Sequence, residues 1–286
     1  MIYDDRICEL GEGPLWHPLR KQLYWFDILG RRLLTRDQAG RQKEFVFGEL
    51  SSAAGWLDET HLMIASETGL YRFNLETEQK SLLCALEQDN LITRSNDGRA
   101  DPWGGFWIGT MGKKAEKDAG SIYRYYQGEI TKLFGHLTIP NAICFSPDKK
   151  FAYFTDTAKR TLMRVRLNVE TGFPVEEPST LILPANMPSN PDGAVTDKDG
   201  RLLVAQWGSG QISVFSPEGQ RLFDRDVPAL HSSCPAFGGD DFKTVFVTSA
   251  REGLSAEYIS NHSSNGMVFA LHDLGQGRPE VQVHLG

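Results

Sequence analysis

The chain has 286 residues, which is enough for one large all-β domain or for two domains of ordinary size. Apolar residues make up 40% and charged residues 23%, as in ordinary soluble proteins, and the formal net charge is -7. That negative charge argues against a nucleic-acid or anionic-membrane partner, because both favour a basic protein surface.

The N-terminal residues and the cysteines indicate where the protein works. Met1 to Arg6 lack a basic region followed by an apolar core, so no signal peptide is expected. No apolar run approaches the roughly 20 residues of a membrane span. The cysteines are scattered without a CxxC pair, which indicates buried thiols in a reducing compartment rather than a zinc-thiolate site. We therefore expect a cytoplasmic protein.

Six similar units of short strands follow one another along the chain, separated by Gly, Asp and Pro turns. Their middle strands recur with a period of about 40 to 50 residues, which is typical of β-propeller blades. These strands are Gln22–Asp27, Leu62–Ala65, Phe106–Gly109, Ala152–Asp156, Leu202–Ala205 and Thr244–Thr248. The sequence thus predicts an all-β fold, with residues 1–286 forming a single six-bladed β-propeller domain. A two-sheet sandwich is the alternative, and it would not explain six similar units.

Three further segments complete this plan, and two others do not fit it. Gln42–Phe47 is predicted to be a fourth, outer strand, and the segments Arg6–Leu10 and Glu280–Leu285 are predicted to share one blade and close the ring. Lys113–Asp118 is interpreted as a solvated loop. The long polar segment from Glu252 to Asn265 is a candidate lid over one end of the ring.

Polar side chains with oxygen donors recur where the chain enters the first strand of a unit. Glu12 precedes Gly-Pro, Asn96 and Asp97 precede Gly, and Asn141 and Asp192 each follow Pro. Each of them taken singly is also an ordinary turn residue. If the units form a ring, all of these side chains converge at one mouth of its channel.

Such a convergence of carboxylate and amide oxygens, with no Lys among them, predicts a bound divalent metal ion. Hard oxygen donors favour Ca²⁺, Mg²⁺ or Mn²⁺, although carboxylates also bind Zn²⁺ and Fe²⁺. No GxSxG motif indicates a serine hydrolase, and no glycine-rich loop followed by a helix indicates a phosphate site.

Several motifs resemble those of the SMP-30/gluconolactonase (regucalcin-like) family, in the same order and over essentially the whole chain. They are Gly11–Trp16, Arg94–Gly98 with Gly109–Met111, Pro140–Ala142 with Phe145–Asp148, Pro191–Gly193, and Cys234–Gly239 with Thr248–Arg251. The resemblance implies a six-bladed propeller that hydrolyses sugar lactones with one divalent metal ion.

The resemblance also implies roles for individual residues. Glu12, Asn141 and Asp192 would be the metal ligands, while Arg94 and Asn96 would contact the substrate. The metal would polarise the lactone carbonyl and bind the attacking water. Asp192, a carboxylate beside that water, is the candidate catalytic base.

The sequence departs from the family pattern in two places. Ser95 stands where Phe or Pro is common, and this change is expected to alter the pocket wall. Lys113 and Lys114 occupy a segment where some members carry an acidic substrate-binding residue. A lysine near the pocket would suit an acidic substrate, such as an aldaric or uronic acid lactone; the alternative is that both lysines face solvent.

The predicted function is metal-dependent hydrolysis of an aldonolactone by a carboxylic-ester hydrolase. The metal is Ca²⁺, Zn²⁺, Mn²⁺, Mg²⁺ or Fe²⁺, the partner is a small sugar lactone, and the chain is a monomer or weak oligomer. One rival is a calcium-binding regulatory propeller without catalysis, and another is a propeller hydrolase acting on organophosphates or aryl esters.

Overall fold

A computed structural model describes all 286 residues of the chain. The structure is almost entirely antiparallel β, beginning with a short strand, β1 (Ile2–Asp4). Four sheets of four strands follow, in each of which every strand pairs with its neighbour in sequence. The first two are β2 (Gly11–His17), β3 (Gln22–Asp27), β4 (Arg32–Arg36) and β5 (Gln42–Val46), then β6 (Ser51–Trp56), β7 (His61–Ser66), β8 (Gly69–Asn74) and β9 (Lys80–Ala85). The next two are β10 (Thr93–Ala100), β11 (Phe106–Gly112), β12 (Gly120–Tyr126) and β13 (Glu129–Leu137), then β14 (Pro140–Phe145), β15 (Phe151–Asp156), β16 (Thr161–Arg166) and β17 (Ser179–Ile182).

The remaining strands belong to one sheet of eight strands that also includes β1. They are β18 (Asn190–Thr196), β19 (Leu202–Trp207), β20 (Gln211–Phe215), β21 (Arg221–Asp226), β22 (His231–Gly238), β23 (Thr244–Ala250) and β24 (Val268–Leu271). One short helix, α1 (Ala256–Asn261), lies between β23 and β24, and two 3₁₀ turns span Thr157–Lys159 and Pro184–Asn186. No helix in the structure has the length and apolar character needed to cross a membrane.

The propeller is confirmed, but the predicted count of six blades is wrong. Only four sheets are separate four-stranded blades, and all other strands are joined in the eight-stranded sheet. The junction is a bridge between Trp207, at the end of β19, and His231, at the start of β22. The two rings stack with their centroids 4.1 Å apart. The repeat in the sequence gives the spacing of the strands but carries no signal for this lateral pairing.

The strands nearest the channel form a closed ring. Each contacts the next in the order β2, β6, β10, β14, β18 and β22, and β22 contacts β2. Apolar side chains fill the space between neighbouring sheets; one such cluster joins Leu15 and Phe26 of the first sheet to Leu62 and Phe73 of the second. The predicted outer strand at 42–47 is confirmed as β5.

The predicted closure by residues 6–10 and 280–285 is wrong. The N-terminal strand β1 pairs with β24, whereas the C-terminal segment forms no strand. Instead, the backbone N–H groups of Val283 and His284 donate to the carbonyls of Trp56 and Gly104, at 2.9 and 2.8 Å. The C-terminal segment thus lies at the ends of the inner strands, while β1 lies on the outer edge of the eight-stranded sheet. Apolar packing of Val283 against the second and third sheets accounts for this placement.

A buried ion pair fixes the end of β10, the strand that carries Arg94 and Asn96. Arg124 Nε donates to Asp101 Oδ2 at 2.6 Å, and both side chains are fully buried. Asp101 Oδ1 also accepts from the backbone N–H groups of Trp103 and Gly105. Replacing either partner alone therefore leaves a charge or several donors buried without compensation.

We expect Asp101→Ala to lower the free energy of unfolding by about 3–5 kcal/mol, because Arg124 would remain buried and unpaired. Urea denaturation followed by tryptophan fluorescence measures this change. Asp240→Ala, which removes the exposed partner of Lys21, is the matched control and should leave the midpoint unchanged. Equal effects of the two substitutions would contradict this account.

Candidate active site

A cavity of about 540 Å³ opens at the end of the channel where the inner strands begin. Polar and charged side chains dominate its wall. They include Glu12, Arg94, Asn96, Lys113, Lys114, Asn141, Thr157, Asp192 and Glu252. All five site residues predicted from the sequence therefore lie in one cavity.

A β-bulge occurs at the same place in every inner strand. The pairing register shifts between Glu12 and Leu15 in β2, between Ser95 and Gly98 in β10, and at corresponding positions in the other four strands. Those positions are Ser51/Ala53, Asn141/Cys144, Pro191/Ala194 and Ser232/Pro235. A bulge leaves residues outside the regular pairing and redirects their side chains. The repeated bulge thus explains why these polar residues converge on the channel while their strands stay in the core.

Two bulges require a left-handed backbone directly after a candidate ligand. Gly13, which follows Glu12, has φ 53°, and Ala142, which follows Asn141, has φ 57°. Glycine adopts this conformation freely, whereas alanine does so at a cost of about 1 kcal/mol or more. Backbone strain at Ala142 therefore accompanies the placement of Asn141.

A chain of hydrogen bonds connects the site residues of three neighbouring strands. Arg94 Nη1 donates to Asn96 Oδ1 at 2.8 Å, and Asn96 Nδ2 donates to Asn141 Oδ1 at 2.8 Å. Asn141 Nδ2 donates to Thr157 Oγ1 at 2.9 Å, and that hydroxyl donates to the carbonyl of Pro191 at 2.7 Å. Because the Thr157 hydroxyl proton is used on Pro191, this network fixes which end of the Asn141 amide is the oxygen.

The network separates the roles of Arg94 and Asn96. Asn96 Nδ2 donates to both Asn141 and the carbonyl of Pro140, so its amide protons are already used. Arg94 donates from Nη1 only, to Asn96 and to the Ser95 carbonyl, while its Nε and Nη2 have no protein partner. Arg94 is therefore free to bind a ligand, and Asn96 positions its neighbours.

Buried carboxylates crowd this end of the channel. Burial and the neighbouring Asp97 charge raise the pKa of Glu12 to about 8, although the Gly13 N–H and Arg94 act in the opposite direction. Burial and the charges of Glu12 and Asp97 likewise raise the pKa of Asp192 well above its ordinary value. The Arg94 guanidinium opposes this rise in the pKa of both Glu12 and Asp192.

Asp97 does not line the cavity, although it follows Asn96 directly. Its Oδ2 accepts from the backbone N–H of Ile143 at 2.7 Å, and it borders a separate small space with Arg99 and Glu280. Ser95 also lies outside the cavity wall. Its hydroxyl accepts from Ser52 at 2.7 Å and donates to the Ala65 carbonyl. The expectation that Ser95 alters the pocket wall is therefore wrong.

Thr157 and Glu252 line the cavity, although neither was proposed as a site residue from the sequence. Thr157 lies just after β15 and joins Asn141 to Pro191, but a Thr after a strand end carries no distinctive signal. Glu252 is the one residue of the candidate lid segment that lines the cavity. Burial raises the pKa of its carboxyl, which has no hydrogen-bond partner within the protein.

Comparison with known proteins identifies the family. Residues 10–251 match the model of the SMP-30/gluconolactonase/LRE-like region. The chain belongs to this family. A candidate sugar lactone lactonase of Rhizobium meliloti is 40% identical over 98% of this chain and 96% of its own. A 6-deoxy-6-sulfogluconolactonase of Pseudomonas putida is 32% identical over 91% of this chain and 90% of its own. The crystal structure of a calcium-binding regucalcin from Agrobacterium tumefaciens is 38% identical and superposes with a TM-score of 0.97, covering 99% of this chain and 97% of the other.

These findings confirm the resemblance to the SMP-30/gluconolactonase family that the sequence motifs indicate. The donors at the cavity also fit the divalent metal ion that this family implies. No three His, Cys, Asp or Glu side chains form a metal site by themselves, so the candidate set consists of two carboxylates and an amide. Glu12, Asp192 and Asn141 supply hard oxygen donors, and Asn141 Oδ1 keeps a second lone pair after accepting from Asn96.

We expect Gly13→Ala to destabilise the protein by about 1–3 kcal/mol, because φ there is positive and a Cβ would lie 2.2 Å from the Ser52 carbonyl oxygen. Gly48→Ala is the matched control, since a Cβ at that position meets no atom within 4 Å. Thermal unfolding by circular dichroism measures both variants. A Gly13→Ala protein as stable as the control would show that the bulge in β2 tolerates a side chain.

Proposed function

We propose that this protein hydrolyses the lactone of a sugar acid to the open-chain acid, with one divalent metal ion held by Glu12, Asn141 and Asp192. The observation that carries the proposal is the cavity in which two buried carboxylates, one oriented amide oxygen and one guanidinium with free donors come together. The names of the relatives from Rhizobium meliloti and Pseudomonas putida support a lactone substrate.

The class of enzyme predicted from the sequence, a carboxylic-ester hydrolase acting on sugar lactones, is confirmed by those relatives. Metal dependence and an aldonolactone substrate are more specific than this enzyme class, and both are part of the proposal. We also propose a cytoplasmic location, which is supported by four free cysteines, three of them buried.

Different groups of this site would have different roles in ester hydrolysis. The metal ion would supply Lewis-acid polarisation of the carbonyl and a water of lowered pKa. Asp192 would accept a proton from the attacking water. Arg94 would donate from Nε and Nη2 to substrate oxygens and hold the ring against that water.

The residues around these groups keep them in position. Asn96 holds the Asn141 oxygen and the Arg94 guanidinium in a fixed relation through its two hydrogen bonds. Thr157 holds Asn141 from the other side and contacts the backbone immediately before Asp192. Such rigid support reduces the reorganisation needed to reach the transition state.

We expect Asp192→Asn to abolish metal-dependent lactone turnover, with a loss of at least about 100-fold in kcat, because a proton acceptor is removed. The assay follows acid release with a pH indicator, using metal-stripped protein with and without Ca²⁺, Mg²⁺, Mn²⁺, Zn²⁺ or Fe²⁺. Asp199→Asn, an exposed carboxylate in the β18–β19 turn, is the control and should retain full activity.

The same assay decides between the proposal and its rivals. Folded protein that binds a metal but hydrolyses no lactone would favour a regulatory calcium-binding propeller. Faster turnover of aryl esters or organophosphates than of any lactone would favour the other class of propeller hydrolase.

We expect Thr157→Val to weaken metal binding by about tenfold, because it releases the Asn141 amide that Thr157 orients. Isothermal titration calorimetry of the apoprotein with each metal ion measures the Kd. Thr161→Val, which removes an exposed hydroxyl bonded to the Lys159 carbonyl, is the control. Unchanged affinity in Thr157→Val would exclude Asn141 from the metal ligands or show that its orientation is fixed without Thr157.

A further inference from the structure

The wall of the cavity is charged with opposite sign on its two sides. Arg94, Lys113 and Lys114 all belong to the sheet β10–β13 or to the loop between its strands β11 and β12. Glu252 follows β23, which pairs with the inner strand β22. In the ring of inner strands, β10 and β22 lie three places apart in both directions, so these charges face each other across the channel.

The backbone of the lysine-bearing loop is held in place. The Lys113 N–H donates to the Ile92 carbonyl at 2.8 Å, and the Lys114 N–H donates to Glu116 Oε2 at 2.9 Å. The Ala115 N–H closes a turn onto the Gly112 carbonyl at 2.8 Å. These hydrogen bonds hold the backbone of both lysines at the cavity rim.

The two lysines differ in whether their charge is compensated. Lys113 Nζ lies 2.6 Å from Glu67 Oε2. Lys114 forms no ion pair in the structure, and its side chain is exposed at the rim. The Lys114 ammonium is therefore available for an anionic group of a ligand.

Glu252 places a carboxylate on the side of the cavity opposite Lys114. Its backbone is anchored, since its N–H donates to the Glu9 carbonyl at 2.9 Å and its carbonyl lies 3.0 Å from His231 Nδ1. Its carboxylate has no protein partner. A free carboxylate accepts hydrogen bonds from hydroxyl groups and repels an anion, so it favours binding of a polyol with its charged end turned away.

Resting on the proposed lactonase function, we propose that the substrate is a sugar-acid lactone with a second, terminal anionic group, which binds Lys114 while its hydroxyl groups face Glu252. Lys114 is then a specificity-determining residue for the charge of the substrate. Lys113, already paired, contributes less.

The test compares D-glucaro-1,4-lactone with D-glucono-1,4-lactone, which share a ring size and differ in a terminal carboxylate, and adds the 6-phosphate of the latter. The wild-type protein should favour at least one anionic lactone in kcat/KM by about fivefold or more. Lys114→Gln should lower kcat/KM for that anion by about fivefold, mainly through KM, and leave the neutral lactone unchanged; this fold-change corresponds to about 1 kcal/mol for a partly exposed ion pair. Lys114→Glu should lower it further.

Lys117→Gln is the matched control, because Lys117 is exposed on the same loop but does not line the cavity. Calorimetric titration with D-glucarate and D-gluconate, the ring-opened acids, gives a readout independent of turnover. Lys114→Gln should weaken glucarate binding and leave gluconate binding unchanged, and added salt should reduce the difference.

The outcomes separate the two proposals. Hydrolysis of neutral and anionic lactones with equal efficiency, or an anion preference that survives in Lys114→Gln, would overturn the substrate assignment and leave the lactonase function standing. No turnover of any lactone with any metal would overturn the lactonase function and this assignment with it.

Discussion

The hydrogen-bond chain from Arg94 through Asn96, Asn141 and Thr157 to the Pro191 carbonyl is the constraint on which the site depends. Its members come from β10, β14, the turn after β15 and β18, so only the closed ring brings them together. In each link a side-chain donor has a defined acceptor, so the amide groups of Asn96 and Asn141 cannot rotate without losing a hydrogen bond. The oxygen of Asn141 is therefore held on the side of Asn96 without any ligand to orient it.

The repeated bulge reconciles this polar site with a buried location. A regular strand alternates its side chains between two faces, and in a propeller both faces pack against neighbouring sheets. Shifting the register at Glu12 or Asn141 frees those side chains from the core and sends them to the channel. The cost appears as strain at Ala142 and as raised pKa values of Glu12 and Asp192.

Features set by short stretches of sequence were predicted, whereas features set by contacts between distant residues were not. The middle strands and the convergence of Glu12, Asn141 and Asp192 follow from short patterns of apolar and turn residues, and both were predicted. The pairing of Trp207 with His231 joins two sheets laterally, and nothing in a repeat pattern specifies it, so the blade count was wrong. Glu252 lies in a long polar segment, where only the fold shows which residue reaches the cavity.

The two ends of the channel are chemically different. At the far end, Arg99 pairs with Glu280 of the C-terminal segment and also donates to the Ile143 and Ala194 carbonyls. That segment continues along the ends of β6 and β10 through Val283 and His284. Lys114 and Glu252 line the cavity at the other end, so a ligand that enters there meets their charges before it meets the buried groups. If the two proposals hold, selection by charge and catalysis can change independently, because the β11–β12 loop supplies Lys114 whereas inner strands supply Glu12, Asn141 and Asp192.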